Sequence, residues 1–122
     1  MSKGTINKVF IVGNVGQEPV IHRNDKCQFV QISLATMTQW RDKATNEKKE
    51  KTEWHQIIIY GKLVDIVENF VHKGDKICII GHLQTRKWAN ADGKECERVE
   101  IIGEEMQLLS PKERQPSNEV TW

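Results

Sequence analysis

The chain has 122 residues, 29% of them charged, and a formal net charge of +1. That length suits one domain able to bury a core without metal or disulfide staples, and the near-neutral balance means that any nucleic-acid function has to come from a local basic patch. No apolar run approaches the ~20 residues of a membrane span, MSKGTINKVFIVGN carries neither a signal h-region nor a cleavage site, and three distant cysteines, Cys27, Cys78 and Cys96, argue against a disulfide framework, so a cytoplasmic, reducing setting is expected.

From Ile6 to Val15 the sequence INKVFIVGNV is rich in β-branched residues and predicts a strand. GQEP at Gly16–Pro19 is a turn, Val20–Arg23 a short second piece, and Asn24–Lys26 another turn signal. Gln28–Thr38 is a long strand whose Val30, Ile32 and Leu34 recur at period two and face the core. The next stretch, QWRDKATNEKKEKTE from Gln39 to Glu53, is dense in mixed charge with Trp40 almost its only apolar residue, and reads as a long mobile excursion. WHQIIIY at Trp54–Tyr60 is a strand. KLVDIVENFVHKG follows as a helix, with Leu63, Ile66, Val67, Phe70 and Val71 in one apolar stripe, Lys73 suited to its dipole and Gly74 to its C-terminal cap. Lys76–Thr85 is a fourth strand, NADG at Asn90–Gly93 a hairpin tip, and Cys96–Leu109 the last strand. Residues 1–110 are thus expected to form one domain, and 111–122 a short disordered polar tail. Five short strands with one helix between the third and fourth are not a βαβ series. They are the pattern of an all-β, five-stranded Greek-key barrel, the OB-fold.

Catalysis finds little support. His22, His55, His72 and His82 are scattered, and none stands at metal-ligand spacing with a second pair downstream. There is no nucleophile elbow, phosphate loop or dinucleotide fingerprint, and the carboxylates sit among lysines as a solvated face would place them. No catalytic residue, metal or cofactor is expected.

The aromatics say more. On WHQIIIY, Trp54 and Tyr60 share a face with Gln56 and Ile58, while His55, Ile57 and Ile59 take the other, which is the better core candidate. On the next strand Gln84, Arg86 and Trp88 share a face opposite Leu83 and Thr85, with Lys87 adjacent. Trp40 opens the charged excursion and is followed by Arg41 and Lys43. A lone strand tryptophan is as readily a core or interface residue as a binding one. Three tryptophans, each near Arg or Lys, favour a platform where bases stack, at roughly 1–3 kcal/mol per base, and where cations neutralise phosphates.

These residues resemble the bacterial single-stranded DNA-binding protein family from Ser2 to Leu109. The resemblance is carried by NKVFIVGNVGQEP, ISLAT, Trp40–Thr45, Thr52–His55, Tyr60–Leu63, Lys73–Gly74 and Thr85–Trp88, in order and at the right spacing. It implies an OB barrel assembled as a homotetramer with single-stranded DNA wrapped around it. It also implies Trp40, Trp54, Tyr60 (where Phe is frequent) and Trp88 as base-stacking residues, Lys43, Lys62, Lys73, Arg86 and Lys87 along the backbone, and His55 in tetramer assembly. Gln56 and Gln84 depart from the arginines frequent there, and each lost cation lowers affinity and flattens the salt dependence. The tail NEVTW lacks the family's acidic tip, so recruitment of repair and replication proteins through such a tip is not expected of these residues.

Two functions from different classes are therefore expected to compete. One is a sequence-independent coat for single strands in replication, recombination and repair, with RNA as chemically acceptable to π-stacking as DNA. The other is a primosomal-type accessory protein of the same fold that works through protein partners. The full set of stacking aromatics favours the coat.

Overall fold

The computed structural model describes residues 3–109, so the expected tail at 111–122 lies outside the described residues. The chain forms β1 (Val9–Val15), β2 (Val20–Arg23), β3 (Gln28–Arg41), β4 (Lys48–Tyr60), α1 (Leu63–Phe70), β5 (Lys76–Ala89) and β6 (Glu95–Leu108). The sheet runs β1-β5-β6-β4-β3-β2 and closes through a β1–β3 pairing. Five strands therefore complete the barrel, β4 and β6 run parallel, and the short β2 lies outside the circuit as a flank on β3. This is the OB-fold expected from the order of elements.

Closure follows from alternation. Val30, Ile32 and Leu34 of β3, Ile57 and Ile59 of β4, and Ile77 and Ile79 of β5 are fully buried in one cluster, as period two requires of strands with one inward face. Truncating any of the leucine or isoleucine side chains in this set to alanine should cost about 2–5 kcal/mol. The helix plugs this cluster against β3 and β4, but at a different phase from the expected stripe. Val64, Val67 and Val71 are buried and Leu63 is half-buried, whereas Ile66 and Phe70 are exposed. It also ends sooner: Val71 leaves it in extended conformation. Gly74, at φ 92°, serves the turn into β5 instead of capping the helix.

The charged stretch from Gln39 to Glu53 also departs from expectation. It is not an excursion but an arm of the sheet, in which the β3–β4 ladder continues without interruption to Arg41↔Lys48. Its tip is a defined turn: Asp42 N–H donates to the Glu47 carbonyl at 2.8 Å, and the Asp42 side chain accepts from Ala44 N–H. β5 likewise runs past Thr85 to Ala89 and pairs with β6 up to the Asn90–Gly93 tip, where the Asn90 side chain accepts from the N–H groups of Asp92 and Lys94.

Three surface carboxylates stitch these elements together. Glu18 accepts from Lys73 N–H at 2.9 Å, Glu68 from Arg23 at 2.6 Å, and Glu104 from His82 at 2.6 Å and Lys8 at 3.1 Å. Hydrogen bonds to the charged form hold all three below the ordinary 4.5: the Lys73 amide for Glu18, Arg23 for Glu68, and His82 followed by Lys8 for Glu104. Depressed carboxylates stabilise the fold in full above their unfolded value and lose that contribution as pH falls through the folded one. The melting temperature should therefore fall as the pH drops through and below the ordinary carboxylate range, and the triple variant Glu18→Gln, Glu68→Gln, Glu104→Gln should show a flatter profile there by scanning calorimetry.

Candidate nucleic-acid interface

Because Ile57 and Ile59 go inward, Trp54, Gln56, Ile58 and Tyr60 of β4 go outward. Trp54 is 59% and Tyr60 52% exposed, six residues and so about 20 Å apart along one strand face. The Trp54 ring lies against Gly16, where a Cβ would collide with the indole. Gln56 donates to Ser33 Oγ at 3.2 Å. Ile58 is buried despite facing outward, because Phe29, Tyr60, Arg86 and Glu100 surround it.

The long strand β5 brings Arg86 and Trp88 to the same side as Tyr60. Arg86 makes a two-pronged ion pair with Glu100: Nε at 3.2 and 3.1 Å from the two carboxylate oxygens, and Nη2 at 3.0 Å from Oε2. Its guanidinium carbon also stands 4.6 Å from the centre of the Trp88 ring, within cation–π reach. Trp88 is 37% and Glu100 only 4% exposed. Hydrogen bonding to Glu100 is the main cause holding the guanidinium above even its ordinary high range. Arg86 is therefore a partly neutralised cation that fixes a tryptophan, and its value as a phosphate contact is correspondingly reduced.

The other expected residues are spread more widely. Trp40, 47% exposed, has the parity of the inward residues of β3 and so stands on the opposite face of the arm from Trp54. Lys43 lies in the tip turn of that arm, Lys62 directly precedes α1 two residues from Tyr60, and Lys73 is exposed in the turn before β5. Lys87 is on the face of β5 opposite Arg86 and Trp88, beside Glu95 and Glu97. Gln84 is exposed and stands across from Glu100 in the β5–β6 register. His55 bonds Thr36 Oγ1 at 2.9 Å and lines a groove of about 310 Å³ with Trp54, Leu83, Arg98 and Val99, where Leu83 and Val99 are exposed.

Four residues that matter here escaped the sequence reading: Gly16, His22, Phe29 and Glu100. Phe29 was within reach, since Val30 faces the core and its neighbour must face out. Glu100 was not, because a carboxylate in the run CERVE reads as a solvated charge until Arg86 is placed upon it. Among the described residues no three His, Cys, Asp or Glu side chains gather as a metal site.

A closed five-stranded barrel plugged by one helix, with aromatics turned outward, defines an OB-fold binding domain. The model of the single-strand binding protein family matches residues 6–109, and the chain belongs to that family. It is 34% identical to the Plasmodium falciparum SSB solved in complex with ssDNA, over 90% of this chain and 100% of that one, with a TM-score of 0.77. A deletion mutant of the single-stranded DNA binding protein from Thermus aquaticus shares the fold at 20% identity and a TM-score of 0.74, over 88% of this chain and 52% of that one.

Arg86→Ala should uncover a buried carboxylate and lower stability by about 3 kcal/mol, whereas Glu100→Gln should cost less because the guanidinium left behind is already half in water. Urea unfolding of the two variants checks the order.

Proposed function

We propose that this chain binds single-stranded DNA without sequence preference and coats exposed strands during replication, recombination and repair. The observation that carries the reading is the exposure of Trp54, Tyr60 and Trp88 on the outside of a barrel whose own core is complete. Large exposed aromatics on an otherwise well-packed domain mark an interaction surface, and flat rings accept any base, RNA included. Trp40 adds a fourth ring on the β3–β4 arm, so a strand bound to all four passes around the arm and does not lie flat on one face. Lys43, Lys62 and Lys73 lie exposed as separate cations suited to phosphates, whereas Arg86 is paired with Glu100 and Lys87, on the other face of β5 beside Glu95 and Glu97, can meet only a strand that turns around that edge. The chemistry is binding and not catalysis, and the protein works in the cytoplasm.

Assembly into a homotetramer belongs to the same reading. Phe10 and Val12 stand exposed on the outer face of β1, and the His55 groove with Leu83 and Val99 offers a second apolar surface. Both suit contacts between copies.

Titration with oligo-dT at low and high salt, followed by tryptophan fluorescence alongside light scattering, tests the function. Strong quenching, weakening steeply with salt, at a tetrameric mass is expected. Little quenching at a dimeric mass points to the protein-partner alternative.

Trp54→Ala should weaken binding by roughly 5- to 100-fold with little change in melting temperature. Lys62→Ala should reduce the slope of log K against log salt by about 0.7, the value of one single-strand phosphate. An unchanged slope removes Lys62 from the backbone path.

A further inference from the structure

The pairing of β2 with β3 and of β3 with β4 puts three rings in one row. His22 is opposite Phe29, and Phe29 is opposite Tyr60. All three face outward, because their neighbours Val30 and Ile59 are committed to the core. His22 and Phe29 stack with ring centres 4.6 Å apart and planes 17° from parallel, and Phe29 meets Tyr60 at 5.8 Å and 46°. At about 4.8 Å per strand the row extends the Tyr60 surface by roughly 10 Å across the sheet.

Between this row and the Arg86–Glu100 pair lies a groove of about 150 Å³. Its floor is Ile58, and its rim is Gln31, Arg86 and Glu100. His22 Nε2 lies 3.0 Å from Gln31 Oε1, which orients the amide, and Gln31 Nε2 makes no hydrogen bond among the described residues. The groove thus combines an aromatic wall, an apolar floor, an unused amide donor for the acceptor edge of a base, and a guanidinium at its mouth. Its size is on the scale of one heterocycle.

We propose that the Phe29–Tyr60 groove, backed by His22, is a nucleobase-binding subsite beyond the four expected stacking residues, and that a bound strand continues over β3 onto β2. The proposal rests on the strand-binding reading above. Stacking supplies most of the affinity and accepts every base, while the Gln31 amide grips the base edge. A strand that enters this groove from Trp88 crosses Arg86, Tyr60 and Phe29 in turn, which gives the row a direction away from the β3–β4 arm.

The test compares the wild type with Phe29→Leu and Phe29→Tyr on oligo-dT of increasing length, reading affinity, tryptophan quenching, mass and melting temperature. Phe29→Leu keeps apolar bulk and loses the ring. It should bind long oligomers roughly 5- to 30-fold more weakly, with the tryptophan quenching at saturation and the mass unchanged. Phe29→Tyr restores the ring and should bind like the wild type. Equal binding by the wild type and Phe29→Leu overturns the subsite and leaves the strand-binding reading intact. A wild type that fails to bind oligo-dT defeats that reading and the subsite with it. A loss of oligomer mass without loss of affinity also overturns the proposal, because the row would then be a contact between copies. Should Phe29→Leu prove unfolded, photocrosslinking of the wild type to an oligomer carrying halogenated uracil decides instead. Adducts in the peptide spanning His22 to Phe29 support the subsite, and their absence beside adducts at the tryptophans overturns it.

Discussion

A closed barrel gives each strand a single inward face, and the packing of Ile57 and Ile59 against Val30, Ile32 and Leu34 decides which face that is. A slip of one residue would turn the whole set over. The alternative register would bury Trp54 and Tyr60 and expose two isoleucines, so the core holds the aromatics out in water. The outward aromatic face, the proposed binding surface, is therefore a consequence of core packing on the same strand. The same constraint places Phe29 outward because Val30 is inward, and Trp40 on the far side of the arm because it shares the parity of Leu34.

Electrostatics refines what packing begins. The net charge of +1 gives little long-range attraction, so the proposed function has to draw on single cations near the rings. Arg86 is the instructive case: its ion pair with a buried carboxylate spends charge that could have met a phosphate, and in return the guanidinium is fixed against Trp88. Gly16 acts similarly without charge, by leaving room for the Trp54 ring. Both contacts hold a ring in place in the free protein, and on the proposed function such ordering would lower the entropy lost on binding.

Much of this was legible in the sequence where one face of a strand is dry. Period two in QFVQISLAT and WHQIIIY located the core and the outward rings correctly, and the family motifs pointed to the family. Reading failed where both faces are wet. The arm from Gln39 to Glu53 carries no alternation, because neither side is buried beyond the barrel, yet the hydrogen-bond ladder continues. The helix failed for a different reason. LVDIVENFV contains two overlapping apolar stripes, and only docking against β3 and β4 chooses the one through Val64, Val67 and Val71. The His22–Phe29 row depends on the register of a four-residue strand, and Glu100 on a partner fourteen residues away, and neither leaves a periodic trace.

The central claim is that the outward rings lie under the strand. The indole N–H resonances of Trp40, Trp54 and Trp88, assigned by substitution and followed by NMR during titration with oligo-dT, test it most directly. All three should shift or broaden together as the strand binds, with each substitution removing one signal and leaving the fold unchanged. Saturable binding that leaves the Trp54 and Trp88 signals in place would contradict the account, because the strand would then lie elsewhere on the barrel.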